Sequence, residues 1–537
     1  MMRPCRFTLL LPLVVVLAAC SKQGSDLSRQ GLVYCAEGSP ETFNPQLVTS
    51  GTTADATANQ LYDKLIDIDA KTGEVIPRLA TSWQVSPDGL RYTFELRRGV
   101  QFQHTAYFTP SRDFNADDVI FSFRRQLDPA SPYHDVSGGD YPFFNAVGLN
   151  KLISTIRRDN DYQVTFILRR PDASFLANMA TDYEVILSAE YAKQLLAAGT
   201  PANIDSKPVG TGPFIFERYR KGSYIRYRAN PHYWDGKPAV DPLIFDITRK
   251  SSRRLAKLLT GECDVMGLPL ASEIGEVRKH PRLKLQSEPG LNVGFWAFNT
   301  ERPPFNNPDV RHALALAIDR QTMMKAVFYG TGSVANSLLP ESSWAYDPDL
   351  PPLKHNLDEA KALLKKAGLA NGFSMTVWAM PVSRSYNPNA RKMAELIQSD
   401  LAAINVRVQI VTYDWNTFRR RLARGQHDSV LIGWSADNTD PDNFFSPTLS
   451  CAALASGNNR ANWCDPAFDA ILANALLTPV RSKRMAYYRQ AQQYLYKAMP
   501  VVPLAHGLRF LASQKDIQGV QLHAFGAINF AKAHRED

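Results

Sequence analysis

The first nineteen residues of the chain have the pattern of an export signal. Arg3 and Arg6 give a short basic start, and a largely apolar run of thirteen residues follows, from 7 to 19. A run of this length can engage an export machinery, whereas a membrane-spanning helix needs about 20 residues. The mature chain is therefore expected to fold outside the cytoplasm, where disulfide bonds persist.

The apolar run ends in Leu-Ala-Ala directly before Cys20. This ending resembles the lipobox of bacterial lipoprotein precursors, which implies cleavage before Cys20 and acylation of its thiol. Ser21 in place of Asp would then not retain a Gram-negative lipoprotein at the inner membrane. The alternative is an ordinary secretory signal in which Cys20 is incidental. Residues 21–31 are mostly small and polar, which predicts a flexible tether.

The size and charge of the chain favour a multidomain globular protein. Its 537 residues exceed the size at which a single core keeps growing, so two or three domains are expected. The net charge falls from +9 to +7 once Arg3 and Arg6 are removed, which is mild for this length. The basic cluster at 419–421 has no RNA-binding motif around it, so we interpret it as a solvated helix face and expect no nucleic-acid partner.

Four cysteines remain after Cys5 leaves with the signal and Cys20 is assigned to lipid. An even number in an exported chain suggests two disulfides, although three pairings are possible. The simplest choice pairs Cys451 with Cys464, which are close in the chain, and leaves Cys35 and Cys263 for a long-range bond. A zinc site is the competing interpretation, but there is no Cys-x-x-Cys motif or nearby histidine pairing. The cysteines are Cys35, Cys263, Cys451 and Cys464.

Local patterns predict a mixed α/β fold. Residues 83–96 have the alternation and the Pro-Asp-Gly turn of a hairpin. Asn115 is a good helix N-cap, with acids in the first turn. An amphipathic helix over 393–404 precedes an alternating strand at 406–410. Helices that alternate with strands imply partly parallel sheets covered by helices.

Motifs for catalysis and metal binding are incomplete. Ser435 follows Gly-Trp, but the second glycine of a nucleophile elbow is missing. The segment from Asn438 lacks the glycine and the glutamate of a calcium loop. The ten histidines have no metal-ligand spacing. We therefore predict that the chain is not an enzyme and has neither a metal site nor a cofactor.

Six segments in the right order along the mature chain identify a family. The chain resembles the substrate-binding proteins of peptide ABC transporters, extracellular solute-binding protein family 5, from Leu32 to about Glu536. The matching segments are LVYCAEGSPE at 32–41, FNPQL at 43–47, FNADDV at 114–119, PVGTGPF at 208–214, RSYNPNAR at 384–391 and GWSADNTDPDNFF at 433–445. The resemblance also implies the disulfide pairs Cys35–Cys263 and Cys451–Cys464.

The resemblance implies an α/β, two-lobed periplasmic binding protein of class II, the large peptide-binding type, with a hinge and an extra third domain. Chain crossings are expected near Gly290 and near His506-Gly507. The implied divisions are a lipoprotein signal at 1–20, a tether at 21–31, a first lobe at 32–61, 211–289 and 508–537, an additional domain at 62–210, and a second lobe at 290–507.

The resemblance implies a receptor that captures free di- or tripeptides by their charged ends and delivers them to a membrane permease. A dipeptide's ends lie roughly 6–7 Å apart, since an extended residue spans about 3.3–3.6 Å. The implied roles are an aspartate, Asp440, for the ammonium group and an arginine, Arg384, for the carboxylate. These types suit the task, because arginine offers a bidentate fork and aspartate accepts several N–H donors. The other implied lining residues are Thr49, Ser385, Tyr386, Trp434, Asp437, Asn438 and Thr439.

The resemblance further implies a monomer in the periplasm of a Gram-negative bacterium, anchored by lipid through Cys20. Three of these residues also have a structural interpretation: Arg384 as a solvated surface charge, Asp440 as the start of a turn, Trp434 as core packing. Ser385, Ala436 and Thr439 depart from the family's pattern, so the choice between dipeptides and tripeptides stays open. The alternative function is a haem or metallophore receptor of the same fold.

Overall fold

The computed structural model describes residues 31–69, 72–454 and 457–536, apart from the side chain of Asn416. The predicted signal at 1–20, the lipidation at Cys20 and the tether up to residue 30 lie outside these ranges. None of the helices in the described ranges is both long and apolar enough to span a bilayer.

Strands occur along almost the whole described chain. They are β1 (Leu32–Ala36), β2 (Ile66–Ile68), β3 (Val75–Pro77), β4 (Ala80–Val85), β5 (Arg91–Leu96), β6 (Ile153–Asn160), β7 (Gln163–Leu168), β8 (Phe214–Arg220), β9 (Tyr224–Ala229), β10 (Leu243–Ile247), β11 (Val265–Gly267), β12 (Leu283–Pro289), β13 (Asn292–Phe298), β14 (Gly332–Val334), β15 (Ser374–Ala379), β16 (Arg407–Val411), β17 (Ser429–Ser435), β18 (Val501–Gln514), β19 (Ile517–Gln518) and β20 (His534–Arg535).

Helices alternate with these strands, as the local patterns predict. They are α1 (Gly51–Leu61), α2 (Ala116–Leu127), α3 (Pro142–Ala146), α4 (Leu149–Leu152), α5 (Phe175–Met179), α6 (Ala189–Ala197), α7 (Ser251–Thr260), α8 (Ile274–Lys279), α9 (Pro308–Ala317), α10 (Arg320–Phe328), α11 (Leu357–Lys366), α12 (Ala390–Ala402), α13 (Trp415–Ala423), α14 (Asp442–Leu449), α15 (Pro466–Leu477) and α16 (Arg481–Ala498). The fold class is α/β.

Local sequence signals form the elements that they predict. Strands β4 and β5 form the hairpin predicted for residues 83–96, with Trp83 opposite Phe94. Asn115 caps α2 through a reciprocal capping box with Asp118. Each of these contacts uses residues close in the chain, so the sequence pattern is sufficient to specify it.

The long strand β18 joins two halves of a twelve-stranded sheet. The strand order is β16-β15-β17-β13-β18-β11-β1-β10-β9-β8, with β12 and β14 also paired to β18. Strand β18 pairs with β13 through Ala505 and with β12 from Leu508 onward. The change of partner falls at His506 and Gly507, where the sequence predicts one of the two crossings between lobes. A separate sheet, β4-β5-β7-β6, lies within the predicted additional domain.

Two large apolar cores underlie the two halves of the sheet. One extends from Leu291 to Ala505 and contains the buried faces of β13, β15 and β17. The other begins at Leu32 and continues through 62–209 to the C-terminal segment that ends at Ala533. The predicted additional domain therefore shares a continuous core with the predicted first lobe. The boundaries themselves stay predictions.

The two disulfides are those that the family resemblance implies. Cys35 in β1 is bonded to Cys263, just before β11, which is a neighbour of β1 in the sheet. Cys451 is bonded to Cys464 across a separation of 13 residues. The first bond joins the start of the folded chain to its middle, and the second closes a local loop before α15.

Candidate ligand-binding site

The two segments predicted to bind the ligand leave the sheet at one edge. Strands β15 and β17 are parallel neighbours, with Ala379 opposite Leu431. The loop that carries Arg384 follows β15, and the loop that carries Asp437 follows β17. Ligands of open α/β sheets bind at the carboxyl ends of such strands. The register of the sheet therefore brings together two segments about fifty residues apart in the chain.

The loop after β15 packs against the backbone of two glycines, Gly433 and Gly507. A Cβ added at Gly507 would lie 1.9 Å from the Ser385 carbonyl oxygen, and one added at Gly433 would lie 2.4 Å from the Tyr386 ring. Asn292 adds polar contacts, since its amide exchanges two hydrogen bonds of 2.9 Å with the Gly507 backbone and approaches Ser385 Oγ at 3.4 Å. Tyr386 is buried. The loop is thus positioned by backbone contacts that side chains would prevent.

Arg384 is an exposed side chain at the tip of this loop. Its backbone pairs with Asn387 through two hydrogen bonds of 3.0 Å, and its Nη1 donates to the Ser383 carbonyl at 3.0 Å. The guanidinium lies 5.9 Å from the centre of the Trp415 ring. Within the described ranges Arg384 forms no ion pair. Its charge is held in place by an aromatic face and a carbonyl oxygen, neither of which neutralises it.

Asp440 already has a cationic partner. Its carboxylate meets the Arg484 guanidinium through two contacts of 2.9 Å, and Asp442 N–H donates to it at 3.0 Å. Both Asp440 and Arg484 are buried. Burial alone would lower the pKa of Arg484, but the adjacent Asp440 carboxylate outweighs it and raises that pKa. The Asp440 charge is thus already paired in this structure, and its predicted role toward the ligand's ammonium group stays a prediction.

Asp437 lies three residues earlier and has no cationic partner among the described residues. It is half-buried, and Tyr183 donates a hydrogen bond of 3.4 Å to its Oδ1. Burial raises the pKa of Asp437 to about 7, and the charge of Asp182 adds to that rise. A carboxylate in this position is stabilised by any cation that enters the space beside it.

The same segment contacts residues of the predicted additional domain. Asn438 donates from its amide to Asn178 Oδ1 at 3.0 Å, and Thr439 donates from its hydroxyl to the Gly73 carbonyl at 3.0 Å. Asn438 is fully buried, and its Oδ1 also accepts from Asp440 N–H at 2.9 Å. In the described structure Asn438 and Thr439 thus hold the two sides of the interface together.

Thr49 and Trp434 have different surroundings. Trp434 belongs to β17, packs partly against the core of the second lobe and donates from its indole nitrogen to Asn443 Oδ1 at 3.1 Å. Thr49 is exposed in the segment before α1, on the first lobe. Trp434 therefore packs against the core, which is the structural interpretation given above. It also lies near the carboxyl end of β17, next to the loop that carries Asp437.

Two further acids lie in this region, because the charge of Asp182 acts both on Asp437 and on Asp55. Asp55 on α1 accepts a hydrogen bond of 2.9 Å from Ile528 N–H, and burial followed by the charge of Glu37 raises its pKa to about 7. Asp182 is paired with Lys64 at 3.0 Å. Burial acts to raise the pKa of Asp182, but Lys64 and a backbone N–H outweigh it and keep that pKa below its usual value. Asp55, like Asp437, forms no ion pair within the described ranges, although the charge of Arg509 acts to lower the pKa of Asp55.

Sequence reasoning missed several residues that shape this site. Asn292 lies in β13, Tyr183 in a turn between α5 and α6, and Arg484 in α16, and each meets the site only through the tertiary fold. Asn292 lies two residues after the predicted crossing at Gly290, and this position is a local signal in the sequence. No group of three or more His, Cys, Asp or Glu side chains in the described ranges is arranged to hold a metal ion.

Residues 74–456, well over half of the chain, match the sequence family described as bacterial extracellular solute-binding proteins, family 5 Middle. This chain belongs to that family. The matched residues include both of the loops that leave the sheet at the carboxyl ends of β15 and β17.

Proteins with similar sequences and structures cover almost the whole chain. The dipeptide-binding protein of Escherichia coli is 45% identical over 520 residues, which are 97% of this chain and 96% of that protein. The heme-binding protein A of Haemophilus influenzae is 40% identical over 523 residues, 95% of each chain. The crystal structure of the dipeptide-binding protein from Pseudoalteromonas sp. SM9913, in complex with Met-Leu, is 52% identical with a TM-score of 0.89 and covers 94% of this chain and 100% of that one. The family's two-lobed periplasmic binding-protein fold is therefore the fold of this chain.

Proposed function

We propose that this protein is the substrate-binding component of a peptide ABC importer, which captures free di- or tripeptides between its lobes and delivers them to the membrane permease. The observation that carries the proposal is the pair of unneutralised charges on adjacent loops, Arg384 and Asp437, at the binding edge of the sheet. Relatives named for dipeptide binding, one of them solved with Met-Leu, support the ligand class.

Arg384 binds the ligand's carboxylate in this proposal. Its guanidinium is free to form two parallel hydrogen bonds with a carboxylate, which a lysine could not match. Ser385 and Tyr386 hold the loop in position, through Asn292 and through the Gly433 backbone respectively.

Asp437 binds the ligand's ammonium group, in place of Asp440. The ammonium would replace the proton that an enclosed carboxyl otherwise retains near neutral pH, since the pKa of Asp437 is raised to about 7. Asp55 on α1, whose pKa is also raised to about 7, is a further acid that an ammonium group would stabilise in its charged form. An ammonium between acids from both lobes favours the closed arrangement, which the contacts of Asn438 and Thr439 stabilise.

Isothermal calorimetry with one dipeptide in three forms tests whether the protein binds its ligand by the two charged ends. Free Ala-Ala is expected to bind, whereas the N-acetylated and C-amidated forms lose at least about thirtyfold in affinity, because each leaves one enclosed charge unpaired. Equal affinity for all three forms would overturn the proposal.

The proposal also includes the cellular setting. The protein acts in the periplasm, lipid-anchored through Cys20, as a monomer that docks on permease subunits. Mass spectrometry of the mature N-terminus checks the anchor, since acylation adds the mass of its fatty chains to Cys20. Crosslinking in membranes that contain the permease checks the docking partner.

Haem binding is the second candidate, and the 40% identity to heme-binding protein A is the observation that favours it. Titration of the protein with hemin separates the two candidates. A Soret shift that saturates at one equivalent and is displaced by Ala-Ala would place both ligands in one site, while no shift would leave peptide binding alone.

A further inference from the structure

The chain passes from one large apolar core to the other at two places that lie side by side. At these places Gly290 N–H donates to the Gly507 carbonyl at 3.2 Å. A Cβ at Gly290 would lie 2.6 Å from that carbonyl oxygen, so the close approach requires glycine. Two adjacent crossings form a narrow hinge, because a few backbone torsions can absorb a rotation of one core against the other. The orientation of the cores therefore depends on contacts made elsewhere.

A loop near the C-terminus, residues 521–529, which we name the C-terminal loop, reaches the first of these crossings. Two backbone hydrogen bonds of 3.1 and 3.4 Å between its first and last residues close its base. At its tip the Ala524 carbonyl accepts a hydrogen bond of 2.9 Å from Leu291 N–H. Leu291 directly follows Gly290 in the chain. The tip of the C-terminal loop therefore meets the chain where it enters the core that begins at Leu291.

Phe525, at the tip of the C-terminal loop, packs against both large cores. Among the half-buried apolar side chains of the described ranges, it alone contacts both of them. Ala524 packs only against the core that begins at Leu291, and Leu522 packs only against the other core. A ring between two apolar surfaces is shielded from water by both only while both adjoin it. The Phe525 ring therefore links the two cores in the arrangement described.

The remainder of the C-terminal loop is fixed to the core that includes α1. Ala527 N–H donates to Asp182 Oδ2 at 2.6 Å, and Ile528 N–H donates to Asp55 Oδ1 at 2.9 Å. Two amide side chains of α1 donate to the carbonyls of the same two loop residues at 3.1 and 2.8 Å. The loop is thus anchored on one side of the hinge, and its tip reaches across to the other side.

We propose that the C-terminal loop is a strap that holds the two cores in the closed, ligand-retaining arrangement through the ring of Phe525. This inference rests on the proposed function, since it concerns how a bound peptide is retained. The arrangement described is the one in which Asn438 and Thr439 form hydrogen bonds across the interface. Separation of the cores for release withdraws the Phe525 ring from one of them. The strap therefore slows release of the peptide and has little effect on its capture.

Stopped-flow measurement of Ala-Ala dissociation tests the strap. The loaded protein is diluted rapidly, and the fluorescence of its tryptophans reports release. Phe525→Ala is expected to raise the dissociation rate at least about tenfold, while the association rate changes by less than about threefold, because contacts of the closed state act mainly on dissociation. Phe525→Leu keeps an apolar side chain at the tip and is expected to raise the dissociation rate by a smaller factor.

Phe121→Ala is the matched control. Phe121 is a half-buried phenylalanine on α2 that packs against one core only, with its ring centre 5.2 Å from that of Tyr133. Its removal is expected to lower the melting temperature and leave the dissociation rate of Ala-Ala unchanged. The control separates a general loss of packing from a loss of contact between the cores.

The outcomes separate this inference from the proposed function. An unchanged dissociation rate in Phe525→Ala, or an equal rise in Phe121→Ala, would overturn the strap while Ala-Ala still binds by its two ends. If Phe525→Ala does not fold, Phe525→Leu decides the question, since an unchanged rate in that variant contradicts the strap as well. Failure of the unmodified protein to bind Ala-Ala would overturn the proposed function together with this inference.

Discussion

The Asp440 carboxylate and the Arg484 guanidinium face each other through two contacts of 2.9 Å within the second lobe. Tyr488, one helical turn after Arg484, lies at 2.9 Å from the same guanidinium. The motif that contains Asp440 also contains Asp437, whose carboxylate has no cationic partner in the described chain. Two acids three residues apart therefore differ: Asp440 is held in a buried ion pair, whereas Asp437 forms none in the described ranges.

Replacement of Asp437 is expected to reduce ligand binding and leave stability almost unchanged. Asp437→Asn removes the charge that faces the ammonium group, so the affinity for free Ala-Ala falls by about thirtyfold or more. The melting temperature stays within about 2 °C, because the lost carboxylate has no ion-pair partner. Calorimetry and thermal unfolding of the same preparation measure both effects. A full-affinity variant would remove Asp437 from the proposed site.

Replacement of Asp440 is expected to reduce stability first. Asp440→Asn leaves the Arg484 charge buried without its partner, which costs about 3–5 kcal/mol. A clear fall in the melting temperature of the ligand-free protein checks this expectation. If Asp440→Asn instead abolished dipeptide binding without any thermal effect, the original assignment of the ammonium group to Asp440 would be restored.

Glycine at position 507 is expected to be necessary for the binding loop. In Gly507→Ala the new Cβ would lie 1.9 Å from the Ser385 carbonyl, so the Arg384 loop must move. We expect at least a tenfold loss of dipeptide affinity, because a tenfold loss corresponds to only about 1.4 kcal/mol of binding free energy.

Gly275→Ala is the control for that substitution. Gly275 lies in α8, far from the loop in the chain, and no atom lies within 4 Å of its added Cβ. Alanine favours helix at such a position, so affinity stays unchanged and stability is equal or higher. Equal losses of affinity in both variants would show that the close contact at Gly507 is not the cause.

The buried Glu184 is expected to make stability pH-dependent. Burial raises its pKa to about 8, and only its Oε2 has a described partner, Gln126, at 3.0 Å. The unfolded chain loses this proton near pH 4.3, so the folded state binds one more proton between these values. The free energy of unfolding is therefore highest at acid pH as far as Glu184 is concerned. It decreases by roughly 3–5 kcal/mol as the pH rises toward 8.

Glu184→Gln removes this dependence. The variant is expected to melt at a higher temperature than the unmodified protein at pH 8.5, with a smaller difference at pH 5. Glu276→Gln, at an exposed glutamate on α8, serves as the control and leaves the pH profile unchanged. A Glu184→Gln profile that parallels the unmodified one would contradict the raised pKa.

Features that depend on neighbours in the chain were predictable from the sequence. The hairpin of β4 and β5 needs a Pro-Asp-Gly turn between alternating residues, and the cap of α2 needs Asn115 and Asp118 at a spacing of three. The family, the α/β fold and the two disulfide pairs followed from motifs whose order along the chain is itself sequence information.

The tertiary structure alone decided which charges of the site are available. Asp437 and Asp440 look equivalent in the sequence, because the partner that distinguishes them, Arg484, lies 44 residues beyond Asp440 on α16. An ion pair depends on distance in space and on exclusion of water, and neither quantity can be read from local spacing.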